Sequence, residues 1–170
     1  MKLTSRAAAT IAGIAALAFS AGAHAADPCD AIFNAMVAQV KVPFAVKATQ
    51  TPVNGPAQTM ETRIVGGKSY FFVQGQWHSE PVSPDQMVSD LTEEKNAVKQ
   101  TCNVAGDEPV GGQPATVYEA HIDSQGEKSD NKLWVSKATG LPVKSEARMR
   151  EGTITQTFSY DGVTAPAGVR

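Results

Sequence analysis

Downstream of residue 26 the apolar positions first follow a helical period and then switch to alternation. Ile32, Phe33, Met36, Val37 and Val40 fall on one helical stripe. Asp27 is placed to cap that helix, and Pro28 suits its first position, where no amide hydrogen is needed. Pro43 disfavours helix at the residue before it, so the helix is expected to end near Lys41. From Val42 the period is two. Phe44, Val46 and Ala48 alternate with Ala45, Lys47 and Thr49. After a loop marked by Pro52, Asn54, Gly55 and Pro56, Met60, Thr62 and Ile64 alternate with Glu61, Arg63 and Val65. Gly66-Gly67 then turns the chain into residues 69–74, whose Tyr70, Phe71, Phe72 and Val73 are apolar on both faces. Gln76-Trp77-His78 reads as a short strand or a bulge.

Ser83-Pro84-Asp85-Gln86 predicts a second helix start, with Ser83 as cap and Gln86 at the reciprocal position of a capping box. Met87, Val88, Leu91 and Val98 form its apolar side. Strands follow over 100–105, 115–122, 132–137, 141–150 and 153–160. Gly106-Asp107-Glu108 and Gly111-Gly112 read as turns, and residues 123–130 as a polar loop. With Glu151-Gly152 as a two-residue loop, the last hairpin pairs Met149 with Ile154, Ala147 with Gln156, Ser145 with Phe158 and Val143 with Tyr160. Arg150, Arg148, Glu146 and Lys144 then share the opposite, wet face with Thr153, Thr155, Thr157 and Ser159. The inner face mixes Met149, Ile154 and Phe158 with Ser145, Ala147 and Gln156. Such small and polar residues suit a ligand-lined hollow. The same face could also be filled by large side chains from the helices.

About seven or eight strands, two helices and no βαβ spacing define an α+β fold: one curved antiparallel sheet, an open half-barrel, with two helices on its concave face.

Composition adds a compartment. Lys2 and Arg6 precede an apolar run over 7–20, and Ala23-His24-Ala25 offers small residues where a signal peptidase reads. The run is shorter than the roughly 20 residues that span a bilayer. Residues 1–25 are therefore expected to be a signal peptide cleaved between Ala25 and Ala26, leaving one exported, periplasmic domain over 26–170. No second stretch reaches spanning length, so the mature protein is not expected to be an integral membrane protein. The chain has 15 Lys and Arg against 17 Asp and Glu. Two of the basic residues lie in the signal, so the domain is acidic, which argues against nucleic acid as a partner. Two cysteines, Cys29 and Cys102, in an oxidising compartment predict a disulfide.

Chemistry is sparse. There is no Gly-x-Ser-x-Gly elbow. Gly66-Gly67-Lys68-Ser69 matches only the tail of a phosphate loop and lies between strands. His78 and His121 have no zinc spacing, so neither metal nor cofactor is expected. His121 is expected on an outer face. The carboxylates are scattered, and an enzyme, a hydrolase with His78 beside Trp77, is the minor alternative.

The run Leu133-Trp134-Val135-Ser136-Lys137-Ala138-Thr139-Gly140-Leu141-Pro142-Val143-Lys144 resembles the LolA-like superfamily of envelope lipoprotein carriers. Gly75-Gln76-Trp77, Cys102 and Val110-Gly111-Gly112-Gln113-Pro114-Ala115-Thr116-Val117-Tyr118 resemble its exported members. The resemblance implies an open curved sheet whose hollow shields an acyl chain or another lipid. The carriers hold a helical lid with an arginine inside the hollow. Here Arg63, Arg148 and Arg150 fall on outer faces, so no functional residue is transferred. A disulfide from the first helix to the sheet would restrict lid movement. The expected function is binding of a hydrophobic ligand, a small molecule, lipid or lipoprotein acyl chain. The expected lining is Met36, Phe44, Val46, Met60, Ile64, Met87, Met149, Ile154 and Phe158. The alternative is an interaction module with a filled core, serving an envelope protein partner.

Overall fold

Asp27 does what its position predicts: its carboxylate accepts from the amide of Cys29 at 2.8 Å and starts helix α1, Pro28–Gln39. Ser83 likewise caps α2, Pro84–Ala97, by accepting from the amide of Gln86. This computed structural model describes residues 27–124 and 126–169. The expected signal peptide and its cleavage point lie outside the described residues.

Nine strands form one unclosed, curved sheet, and every pairing is antiparallel. They are β1 (Phe44–Pro52), β2 (Gln58–Val65), β3 (Lys68–Val73), β4 (Gln76–Pro81), β5 (Lys99–Val110), β6 (Gln113–Ser124), β7 (Glu127–Ser136), β8 (Pro142–Met149) and β9 (Gly152–Ser159). The order β4-β3-β2-β1-β9-β8-β7-β6-β5 joins two meanders by pairing the first strand with the last. The fold is therefore the expected α+β half-barrel with its helices on the concave face.

Three local expectations change. Among the described residues the strand count is nine, because Gln76-Trp77-His78 extends into a full strand that sets Trp77 opposite Phe72 and His78 opposite Phe71. Residues 106–108 are strand, not turn. Gly106, at φ 136°, absorbs a bulge between Val104 and Gly106, and β5 continues past it. Residues 127–130 are also strand, with Asp130 opposite both His121 and Arg148.

The last hairpin has slipped by two residues from the expected register. Arg150 and Glu151 now form the loop, Met149 faces Gly152, Ala147 faces Ile154 and Ser145 faces Gln156. A shift of two leaves every side chain on its expected face. Gly152 is drawn into the strand because β1 passes close beside it. A Cβ there would lie 2.2 Å from the Thr51 carbonyl oxygen, and its φ of 149° also suits only glycine.

The sheet buries side chains on both faces. On the convex face Ala115, Val117 and Trp134 form a small core, with Val110 and Val143 against it. Trp134 Nε1 donates to Glu108 at 2.8 Å, and the Lys144 ammonium lies 4.2 Å above the indole. Along β6 and β7 that face is also charged and paired. A hydrogen bond from Lys132, then one from Asn103, holds the Glu119 carboxyl below its usual range. His121 meets Asp130 at 2.6 Å on this exposed side, as expected for an outer-face histidine.

Candidate functional site: a hollow between the helices and the sheet

Two ties at opposite ends lay α1 across the concave face. At its first turn, Cys29 and Cys102 form the expected disulfide to β5. At its last turn, the buried Gln39 donates from Nε2 to the Tyr160 hydroxyl at 3.1 Å, and that hydroxyl donates to the Pro142 carbonyl. Burial pushes the Tyr160 hydroxyl up to about 12. The hydroxyl therefore stays protonated and able to donate at any physiological pH.

α2 leans on α1. Lys95 crosses from it to Asp30, at 2.6 Å, and lies over the Phe33 ring. No residue of α2 is fully buried.

Between these helices and the second meander lies a hollow of about 340 Å³. Its roof is Ile32, Phe33 and Met36 of α1 with Leu91 of α2 and Val98. Its floor comes from alternate residues of four neighbouring strands: Tyr118, Ala120 and Ile122; Asn131 and Leu133; Ser145 and Ala147; Gln156 and Phe158. The cross-strand pairs Tyr118 with Leu133, Leu133 with Ser145 and Ser145 with Gln156 make that floor continuous. A second hollow, of about 270 Å³, lies between the two helices and Phe44. The inner face is thus not filled by the helices.

Of the nine residues expected to line a ligand site, Met36 and Phe158 line the larger hollow. Met36, Phe44 and Met87 line the smaller one. Val46, Met60, Ile64, Met149 and Ile154 line neither, and Met60 is 58% exposed. They belong to the concave face beyond the helices. Among the described residues α1 packs chiefly on β5, β6 and β8, and of the first meander Phe44 is buried near the helices while Met60 is exposed. The missed residues are Ile32, Phe33, Leu91 and Val98 in the roof and, in the floor, chiefly those of β6 and β7. Their signal was present in the alternation of Tyr118, Ala120 and Ile122, but Val117 made that strand apolar on both faces.

The arginines lie outside the hollow. Arg63 pairs with Glu61 at 2.9 Å and stacks 5.0 Å from the Trp77 ring centre, and Arg148 pairs with Glu146 at 2.7 Å. Among the described residues no cluster of three or more His, Cys, Asp or Glu could hold a metal ion. No described helix is long and apolar enough to cross a membrane.

No family model matches the chain, and no curated protein matches it in sequence. Solved structures do. The lipoprotein LppX of Mycobacterium tuberculosis is similar at 12% identity and a TM-score of 0.54, over 82% of this chain and 98% of that one. LprF from Mycobacterium bovis is similar at 14% identity and a TM-score of 0.52, over 82% of this chain and 96% of that one. MucB is similar at 18% identity and a TM-score of 0.50, over 85% of this chain, which spans 65% of MucB. At such identities the likeness is one of fold. The shared fold is an open curved sheet with helices against one face, the architecture that the Leu133 to Lys144 run led one to expect.

Proposed function

We propose that this chain is an exported, periplasmic binding protein that holds an apolar ligand, a lipid or an acyl chain, between its helices and its second meander. The larger hollow is the observation that carries this reading. Its volume of about 340 Å³ falls at the small end of ligand sites, and most of its lining is aliphatic or aromatic. A soluble protein gains nothing by leaving such a space empty. An apolar molecule that fills it gains about 0.8 kcal/mol for each methylene withdrawn from water. The size suits one aliphatic chain, not a bundle of them. Asn131, Ser145 and Gln156 supply neutral amides and a hydroxyl that can orient a ligand, while Glu94, Lys95, Lys132 and Glu146 also border the hollow, with Lys95 paired to Asp30 and Lys132 to Glu119.

Purification from periplasm without detergent, solvent extraction and mass spectrometry of the extract test the reading. A stoichiometric apolar molecule is expected. Leu91→Glu places a charge in the roof from a helix with no fully buried residue, so the fold should survive. It is expected to weaken uptake of an apolar fluorescent probe at least about tenfold. A clean extract together with no probe uptake by the unaltered protein would sink the reading and favour a protein-interaction role.

A further inference from the structure

Of the seven large apolar residues left exposed among the described residues, five lie at one end of the sheet: Val53, Met60, Phe72, Val73 and Met149. The strand registers bring them there. Val73 lies opposite Gln76 at the β3–β4 turn, and Phe72 opposite Trp77. Thr62 pairs with Phe71, so Met60 and Val73 come side by side two residues further along. Gln50 pairs with Gln58, so Val53 stands in the loop that closes β1 on β2 at the same end. Pro52 and Met149 both lie opposite Gly152.

Charge is missing from the two tips. Residues 48–60 and 69–79 contain no Asp, Glu, Lys or Arg, although 19% of the chain is charged. The next charges along β2, Glu61 and Arg63, pair with each other at 2.9 Å, and the guanidinium lies against the Trp77 ring. The opposite end of the same meander is ordinary wet surface, with Lys41, Lys68 and Glu80 exposed. The apolar groups also surround the β3–β4 tip instead of covering one side of it. Met60 and Val73 stand on the concave face, and Phe72 and Trp77 on the convex face. A flat protein patch would meet one of these sets. A lipid layer receives a projecting tip from all sides, and tryptophan favours its boundary with water.

We propose that this end of the first meander docks on a lipid surface, with the β3–β4 turn and the β1–β2 loop seated among the headgroups. Apolar side chains drive the contact, and charge does not. An acidic domain is repelled by anionic lipid, and neutral tips are the part of it that can approach. The concave face of β1 and β2 runs from Met60 at this end to Phe44 at the smaller hollow, so the docked end opens onto the side where both hollows lie. Docking is independent of whether a ligand fills them.

The test mixes the full mature protein with vesicles of phosphatidylethanolamine and phosphatidylglycerol brominated near the headgroup. Trp77 is at the tip, and Trp134, the other tryptophan, is buried against Glu108. Co-sedimentation with partial quenching is expected. Trp77→Phe should abolish the quenching. Binding should survive a rise from about 0.1 M to about 1 M salt. Phe72→Asp and Val53→Asp are each expected to lower partitioning at least about tenfold. Val104→Asp, equally open to solvent on β5 at the far edge of the sheet, should leave it unchanged. Two tip variants guard against one failing to fold. No association, or association lost at high salt, overturns the proposal. An equal loss in Val104→Asp, or no loss in either tip variant, overturns the assignment to this end. Retention on protease-sensitive envelope membranes without binding to pure lipid overturns it in favour of a protein partner. None of these outcomes alters the solvent-extraction result that tests the ligand reading.

Discussion

Helix α1 is tied to the sheet at both ends, through Cys29 to β5 and through Gln39 to Tyr160 and Pro142. Helix α2 covers the same hollow with a Ser83 cap, one ion pair to α1 and no fully buried residue. Both helices start in the same way, with an oxygen-bearing cap followed by proline. The difference lies in what each meets after it forms. α1 presents a continuous apolar stripe and two specific anchors. α2 presents Met87, Val88 and Leu91 among charged neighbours. The hollow therefore has one wall held covalently and one held by side-chain packing.

Breaking the covalent tie should have the largest effect. Cys29→Ser combined with Cys102→Ser frees a loop with a separation of 73 residues. The loss expected from chain entropy is about 4 kcal/mol, read as a lower urea midpoint. A midpoint unchanged from wild type would mean that the tie adds nothing to α1. The second anchor is weaker. Tyr160→Phe removes the hydroxyl and strands Gln39 Nε2, at a cost of about 1–3 kcal/mol. It also changes the alkaline limb. The folded Tyr160 hydroxyl is raised to about 12 from the ordinary 10.0, so its contribution is full below pH 10 and is lost as pH rises towards 12. Wild type should lose more stability across that window than the Phe variant, and equal losses would contradict the buried hydroxyl. The smallest effect belongs to α2. Lys95→Met breaks a half-exposed ion pair worth under about 1 kcal/mol. Its expected signature is local: faster amide hydrogen exchange in α2, with α1 unchanged. Equal acceleration in both helices would show that they move as one.

Much of this architecture was legible because local patterns decided it. Asp27-Pro28 and Ser83-Pro84 fix helix starts through their own caps, and the two faces of the last hairpin separate by alternation alone. The exact register was not legible. It depends on how closely Thr51 approaches Gly152, a contact across 101 residues of sequence. The site was read only in part for a related reason. Period two shows that Val46, Met60 and Ile64 share a face, but not which half of that face the helices cover. The coverage follows from where Cys29 meets Cys102, which commits α1 to the second meander and leaves Met60 in solvent.

The pairing of β1 with β9 also sets an order of assembly. Val46 lies opposite Phe158, so the centre of the sheet joins segments from the two ends of the domain. Each meander can form from neighbouring strands, but the ribbon between them waits for β9, Gly152–Ser159. A chain truncated before residue 152 would keep most of its hairpins but lose β9 and, with Tyr160, the second anchor of α1. It would also expose β1 and β8 as two long bare edges. Such a fragment should aggregate when it is released, even though each of its strands keeps one neighbour.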